Sequence, residues 1–232
     1  MSRRVHRALV LYAASVAAMA AAQATCLSDT EAAALVNASA PAYGVLYVPM
    51  LLRNGATVDA AFGARPLYEA DLLVRVGDSL VSRAASPEEV VRHIDPVIPA
   101  IELPDLVVEA PGKLDGAAIA AINVGARHFV MGEPIPVVPT TPLADALRTM
   151  IVIVAGPEGE LDRGKGSDVL EHPLNAVIWL AGELQKQGLT LRKGDLVSVG
   201  SFSRLLPPKP GQNIVVRYQG LPGDPVVRVN FK

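Results

Sequence analysis

A chain of 232 residues, half of them apolar, can bury one sizeable core or two small ones, which excludes a disordered or low-complexity protein. Its 21 basic and 23 acidic side chains nearly cancel and form no basic stripe, so nucleic acid is excluded as a partner. Cys26 is the sole cysteine, which excludes an intramolecular disulfide and leaves the fold to packing, alone or with homo-oligomerisation.

The first 24 residues read as an export signal. Arg3, Arg4 and Arg7 form a basic start, Ala8 to Ala22 is an apolar run, and Ala22-Gln23-Ala24 is the small-x-small pattern preceding a cleavage point. The run is too short and alanine-rich for a membrane span, which takes about 20 apolar residues. Cleavage removes three arginines and no acid, leaving 18 basic against 23 acidic side chains. The expected organisation is therefore a signal peptide over 1–24 and one domain over 25–232, periplasmic or secreted, with no membrane contact after cleavage.

Leu27 to Asn37 carries helix signals, with Ser28 as cap and Glu31 three residues on. Tyr43 to Leu52 is mostly apolar and ends at the turn signal Asn54-Gly55. Leu67 to Val76, LYEADLLVRV, reads as a strand, and the two-residue spacing of Glu69 and Asp71 puts both carboxylates on one face. Ser86-Pro87-Glu88-Glu89 opens a helix running to about His93. Glu133 to Pro142 is proline-rich and extended, and Met150 to Ala155 is a buried-strand candidate. Leu174, Val177, Ile178, Ala181 and Leu184 form one apolar helical face, with Pro173 in the first turn and Gly188 as the left-handed terminator. Leu196 to Val199 then reads as a strand ending at Gly200-Ser201. Val227, Val229 and Phe231 alternate with Arg228 and Asn230, which fits a terminal antiparallel pair with Ile214 to Tyr218.

Taken by spacing alone, Glu69 and Asp71 fit the solvated face of an edge strand as well as a metal site. His172 precedes a proline at a helix start, where a capping or packing role outweighs that of a general base, although its ordinary pKa lies near 6.5. Gly200-Ser201 lacks the G-x-S-x-G of a nucleophile elbow, and Gly164-x-Gly166 alone is no phosphate loop.

VLEHPLNAVIWLAGEL, followed by GLTLRKGDLVSVGS, resembles the C-terminal signature of the 2-keto-4-pentenoate hydratase family, within the wider fumarylacetoacetate hydrolase superfamily. The family reads LGHPLNA-x-WLA, then L-x-x-GD, then TGS. Tyr43-Gly44-Val45-Leu46 resembles its YG-x-L, Glu69-Ala70-Asp71 its E-x-E, and Pro99-Ala100-Ile101-Glu102 its PALE. The resemblance implies an α+β fold, a mixed and largely antiparallel β-roll with flanking helices. It implies Glu69, Asp71 and Glu102 as ligands of Mg²⁺ or Mn²⁺, and Asn123, Gly200 and Ser201 as substrate-pocket residues. Hard divalent ions take oxygen ligands, and three like charges together need a cation between them. The implied reaction is hydration of a short 2-hydroxy-2,4-dienoate, or its 2-oxo tautomer, to a 4-hydroxy-2-oxo acid. The alternatives are 2-oxo acid decarboxylation and a non-catalytic relative that binds a small carboxylate. Three departures mark the chain: Asp71 replaces a glutamate, Ile122 and Gly125 flank Asn123 where the family has Asp and Ser, and the lysine-bearing GYKIGLTS-like segment is missing.

Overall fold

The computed structural model describes residues 8–12, 36–37, 41–107, 114–138 and 142–232. Strands β1 (Ala8–Tyr12), β3 (Ala42–Leu46), β4 (Leu51–Arg53), β6 (Glu69–Val76), β7 (Ile94–Leu103), β9 (His128–Met131) and β12 (Leu196–Ser198) form a seven-stranded sheet in the order β3-β1-β12-β6-β7-β9-β4. A second sheet, of five strands, runs β11 (Gly159–Lys165), β10 (Ile151–Gly156), β13 (Asn213–Gln219), β14 (Val226–Phe231), β5 (Ala56–Val58). β2 (Val36–Asn37) and β8 (Leu114–Asp115) form a separate parallel pair. Most pairings are antiparallel, with parallel exceptions such as β1–β12 and β4–β9, which is the α+β architecture expected from the sequence.

Four α-helices lie among the described residues: α1 (Pro87–Val91), α2 (Gly116–Ala121), α3 (Leu143–Thr149) and α4 (Asn175–Lys186). Ser86 caps α1 by accepting from Glu89 N at 3.3 Å, as its position before Pro87 predicts. The expected helix over Leu27–Asn37 falls outside the described residues, apart from Val36–Asn37, which are extended. Ala8–Tyr12 comes from the stretch read as an export signal, and the rest of that stretch lies outside the described residues. Within the sheet these five residues sit between β3 and β12, so cleavage after Ala24 would leave both facing edges unpaired.

Alternation divides β6 and β7 into two faces. Ala70, Leu72 and Val74, with Val97, Ile101 and Leu103, join the main core together with Val152, Val154, Val216 and Val229 of the second sheet. The other face carries Leu73, Ile98 and Ala100 beside Phe129, a smaller apolar cluster, and it also carries the acids. Tyr218 of β13 ties the sheets together. Its buried hydroxyl donates toward the carbonyls of Asp71 (2.7 Å) and Ala100 (2.5 Å), which face each other across β6 and β7.

The motif of greatest sequence legibility, Leu170 to Ala176, is a structural device. His172 Nδ1 accepts from Leu174 N (3.0 Å) while Nε2 donates to Ala144 O (2.8 Å), joining the start of α4 to α3. Burial depresses its pKa, which favours the neutral ring that this pairing requires. Asn175 Nδ2 donates to Leu170 O (2.8 Å), bracing the left-handed pair Leu170 and Glu171. Pro173 stands ahead of the helix rather than in its first turn, whereas Gly188, at φ 71°, ends it as expected.

Gly164 and Gly166 leave no room for side chains. A Cβ on Gly164 would meet Phe202 O at 1.8 Å, and one on Gly166 would meet Leu147 O at 1.7 Å. Gly164→Ala and Gly166→Ala should therefore each lower the midpoint of thermal unfolding by several degrees or abolish folding, the effect of a backbone clash of about 2 kcal/mol or more. Gly182→Ala, in the interior of α4 with open space around it, should raise stability by up to about 1 kcal/mol. Calorimetry of the three variants checks the contrast.

Candidate metal centre

Register brings the acids together. Glu69 and Asp71 lie on the same face of β6, and Glu102 of β7 is the direct cross-strand partner of Glu69, while Asp71 faces Ala100. All three are buried, at 1%, 0% and 0% exposure, so they are not the solvated face of an edge strand. The environments of Asp71 and Glu102 are unequal. Asp71 Oδ2 accepts from Ser198 Oγ at 2.6 Å, and its carboxylate also takes the backbone N–H groups of Leu72 and Gly200. Burial still raises its pKa from 3.8 to about 6, against the pull of those donors. Among the described residues, neither oxygen of Glu102 has a hydrogen-bond donor. Burial first, then the charges of Glu69 and Asp71, push its pKa well above the ordinary carboxylate range.

The segment after β12 completes the site's edge. Val199 N donates to Leu72 O (3.0 Å), and Phe202 N to Ala70 O (2.9 Å), so the chain tracks β6 past the acids. Gly200 adopts φ 102°, a conformation open to glycine, as its N–H turns toward Asp71. Ser201 Oγ donates to Ser203 O (2.6 Å), and Ser203 Oγ accepts from Ala70 N (2.9 Å), which closes the ladder with side chains where the backbone departs. Gly200 and Ser201 thus border the acids. Asn123 is engaged elsewhere. Its Oδ1 accepts from Val45 N (2.8 Å) and its Nδ2 donates to Val45 O (2.9 Å), so both ends of the amide brace β3. Sequence reasoning does not reach Ser198, Ser203 or Tyr218. The alternation of β12 toward Gly200 places Ser198 on the acid-bearing face, which is the one local signal that points to it.

The donor set fits a hard divalent cation by its chemistry: three buried carboxylates, two oxygens of Glu102 with no donor among the described residues, and the like charges of Glu69 and Asp71 acting on Glu102. The coordination shell is not closed as the side chains stand, because among the described residues no group of three or more His, Cys, Asp or Glu is arranged to hold an ion.

Without metal, the raised pKa of Asp71 fixes the direction of a pH effect. The folded protein holds a proton that the unfolded chain releases above pH 3.8, so this stabilisation is complete below that pH and is lost as pH rises through about 6. Chelator-treated protein should lose stability relative to Asp71→Asn between about pH 4 and 7, by about 3 kcal/mol at most. Denaturant titrations of the two proteins across that range measure the difference.

No family model matches the chain. It is 31% identical over 182 residues to a 4-oxalocrotonate decarboxylase of Pseudomonas putida, covering 78% of this chain and 67% of that one. It is 26% identical over 171 residues to a 2-keto-4-pentenoate hydratase of Paraburkholderia xenovorans, covering 74% and 62%. The chain thus spans about two thirds of the length of these curated relatives. Among solved structures, 4-oxalocrotonate decarboxylase from Pseudomonas putida G7, complexed with magnesium and adipate, superposes with a TM-score of 0.79 at 28% identity, covering 99% of this chain and 78% of that one. A second structure of that enzyme, with calcium and acetate, gives 0.75 at 27% identity, with coverage of 99% and 78%. The strand-paired acids and these similarities together place the chain in the 2-keto-4-pentenoate hydratase and 4-oxalocrotonate decarboxylase family of the fumarylacetoacetate hydrolase superfamily.

Proposed function

We propose that this protein is a divalent-metal-dependent hydratase that adds water to a short 2-hydroxy-2,4-dienoate, or its 2-oxo tautomer, giving a 4-hydroxy-2-oxo acid. The observation that carries the reading is the buried trio Glu69, Asp71 and Glu102, two adjacent positions of one strand face and the cross-strand partner of the first. Glu69, Asp71 and Glu102 would hold Mg²⁺ or Mn²⁺. Such an ion supplies Lewis-acid stabilisation of the negative charge that develops on a 2-oxo acid. The protein contributes burial, which strengthens each electrostatic contact, and an apolar flank of Leu73, Ile98 and Phe129 on the acid-bearing face. Gly200 and Ser201, at the border of the acids, would orient the substrate's carboxylate end. Asn123 serves that end indirectly, by holding the Tyr43-to-Leu46 segment in place.

Decarboxylation of a 2-oxo acid is the second reading. It is favoured by the higher identity and the structural match to 4-oxalocrotonate decarboxylase. The two reactions share the need to stabilise enolate-like charge and differ in which bond breaks. Export is proposed with either reading, on the basic start and small-x-small pattern of 1–24. The intact mass of protein recovered from the periplasm should then correspond to a chain beginning at Thr25.

Purified protein given 2-hydroxypenta-2,4-dienoate with Mg²⁺ or Mn²⁺ should consume the dienoate absorbance, and the product should gain one water by mass spectrometry. Release of CO₂ from an unsaturated 2-oxo dicarboxylate, with no hydration of either compound, would instead select the decarboxylase. Glu102→Gln should cut kcat/KM by about 10²-fold or more, the scale of losing one preorganised electrostatic group. Absence of turnover on both substrate types, with metal bound, would leave the non-catalytic carboxylate-binding role.

A further inference from the structure

The inequality between the acids points to a residue outside the trio. Ser198 is fully buried at the end of β12 and opposite Leu73 in the register, so its side chain reaches diagonally across to Asp71 on the same sheet face. Its Oγ lies 2.6 Å from Asp71 Oδ2. Among the described residues, Ser198 supplies the side-chain hydroxyl that donates to this carboxylate, beside the backbone N–H groups of Leu72 and Gly200. Asp71 cannot drift along its own strand, because its carbonyl accepts from Tyr218 Oη. Its remaining freedom is rotation of the carboxylate about χ1 and χ2, and a donor at 2.6 Å from a neighbouring strand fixes that rotation. A serine hydroxyl is also an acceptor, but Ser198 faces an acid, so its proton points to Asp71 and the pair has a defined polarity.

We propose that Ser198 is a positioning residue: its hydroxyl sets the orientation of the Asp71 carboxylate, so that this acid is pre-aimed at the divalent cation while Glu102 is completed only by the cation itself. The inference rests on the metal-centre reading given above, and it assigns to Ser198 no contact with metal or substrate. An outer-sphere hydrogen bond that orients a ligand typically contributes about 10- to 100-fold in metal affinity. Ser198→Ala removes the bond with a small volume loss, and Ser198→Cys retains the volume with a much weaker donor.

Mn²⁺ affinity of chelator-stripped protein, followed by calorimetry and by the loss of the free-ion electron paramagnetic resonance signal, gives a readout independent of turnover. Ser198→Ala and Ser198→Cys should each weaken Mn²⁺ binding by at least about 10-fold. In an Asp71→Asn background, Ser198→Ala should add less than about 2-fold, because the carboxylate it orients is gone. Parental affinity in Ser198→Ala would overturn the proposal. So would parental affinity in Ser198→Cys, which would assign the effect to filled volume, or a full additional loss on top of Asp71→Asn, which would assign it to another partner. Parent protein that binds no Mn²⁺ at all, with Glu102→Gln indistinguishable from it, would overturn the metal reading itself and the proposal with it. Far-ultraviolet circular dichroism and the unfolding midpoint of each variant show whether it is folded, and if Ser198→Ala is not, Ser198→Cys decides.

Discussion

Burying three carboxylates side by side, with the charges of Glu69 and Asp71 both acting on Glu102, is the constraint to which the rest of the structure answers. A sheet can hold such groups only if the backbone beneath them cannot move, and here it is fixed from three directions. β7 fixes the register of Glu102 against Glu69, the Gly200–Leu206 segment tracks β6 past Asp71, and Tyr218 reaches from the other sheet to the carbonyls of Asp71 and Ala100. The charge itself is met by protons or by a cation. The raised pKa values of Asp71 and Glu102 are the protonic half of that choice.

Much of this is legible in the sequence, for reasons that can be stated residue by residue. The two-residue spacing of Glu69 and Asp71 is a property of any strand, so their common face follows from LYEADLLVRV alone. Glu102 does not follow from spacing, since its meeting with Glu69 depends on which residues pair between β6 and β7. The family resemblance supplies it. The helix α4 and the two C-terminal strands follow from apolar periodicity, which is a local signal. Ser198 and Tyr218 escape a sequence reading because they meet Asp71 across 127 and 147 residues of chain, and strand alternation, which gives only the face of Ser198, names no partner for either.

The most recognisable motif proves to be scaffold. In His172-Pro173-Leu174-Asn175-Ala176 the histidine spans two helices, the asparagine braces a left-handed turn, and the leucine and alanine are buried. The reading of His172 as a cap rather than a base holds for this reason: both ring nitrogens are engaged by backbone. Asn123 shows the same pattern, with its amide committed to Val45, whereas the Gly200 N–H turns toward Asp71. The replacement of a glutamate by Asp71 is answered locally: the shorter arm sits within reach of Ser198, Leu72 N and Gly200 N.

The central claim, that one divalent cation joins Glu69, Asp71 and Glu102, is met most directly by anomalous X-ray scattering from crystals of the protein grown with Mn²⁺. A single manganese peak bounded by these three carboxylates, and missing from crystals of Glu102→Gln, is the predicted result. Manganese elsewhere, or three carboxylates left proton-sharing in a crystal saturated with the ion, would contradict it.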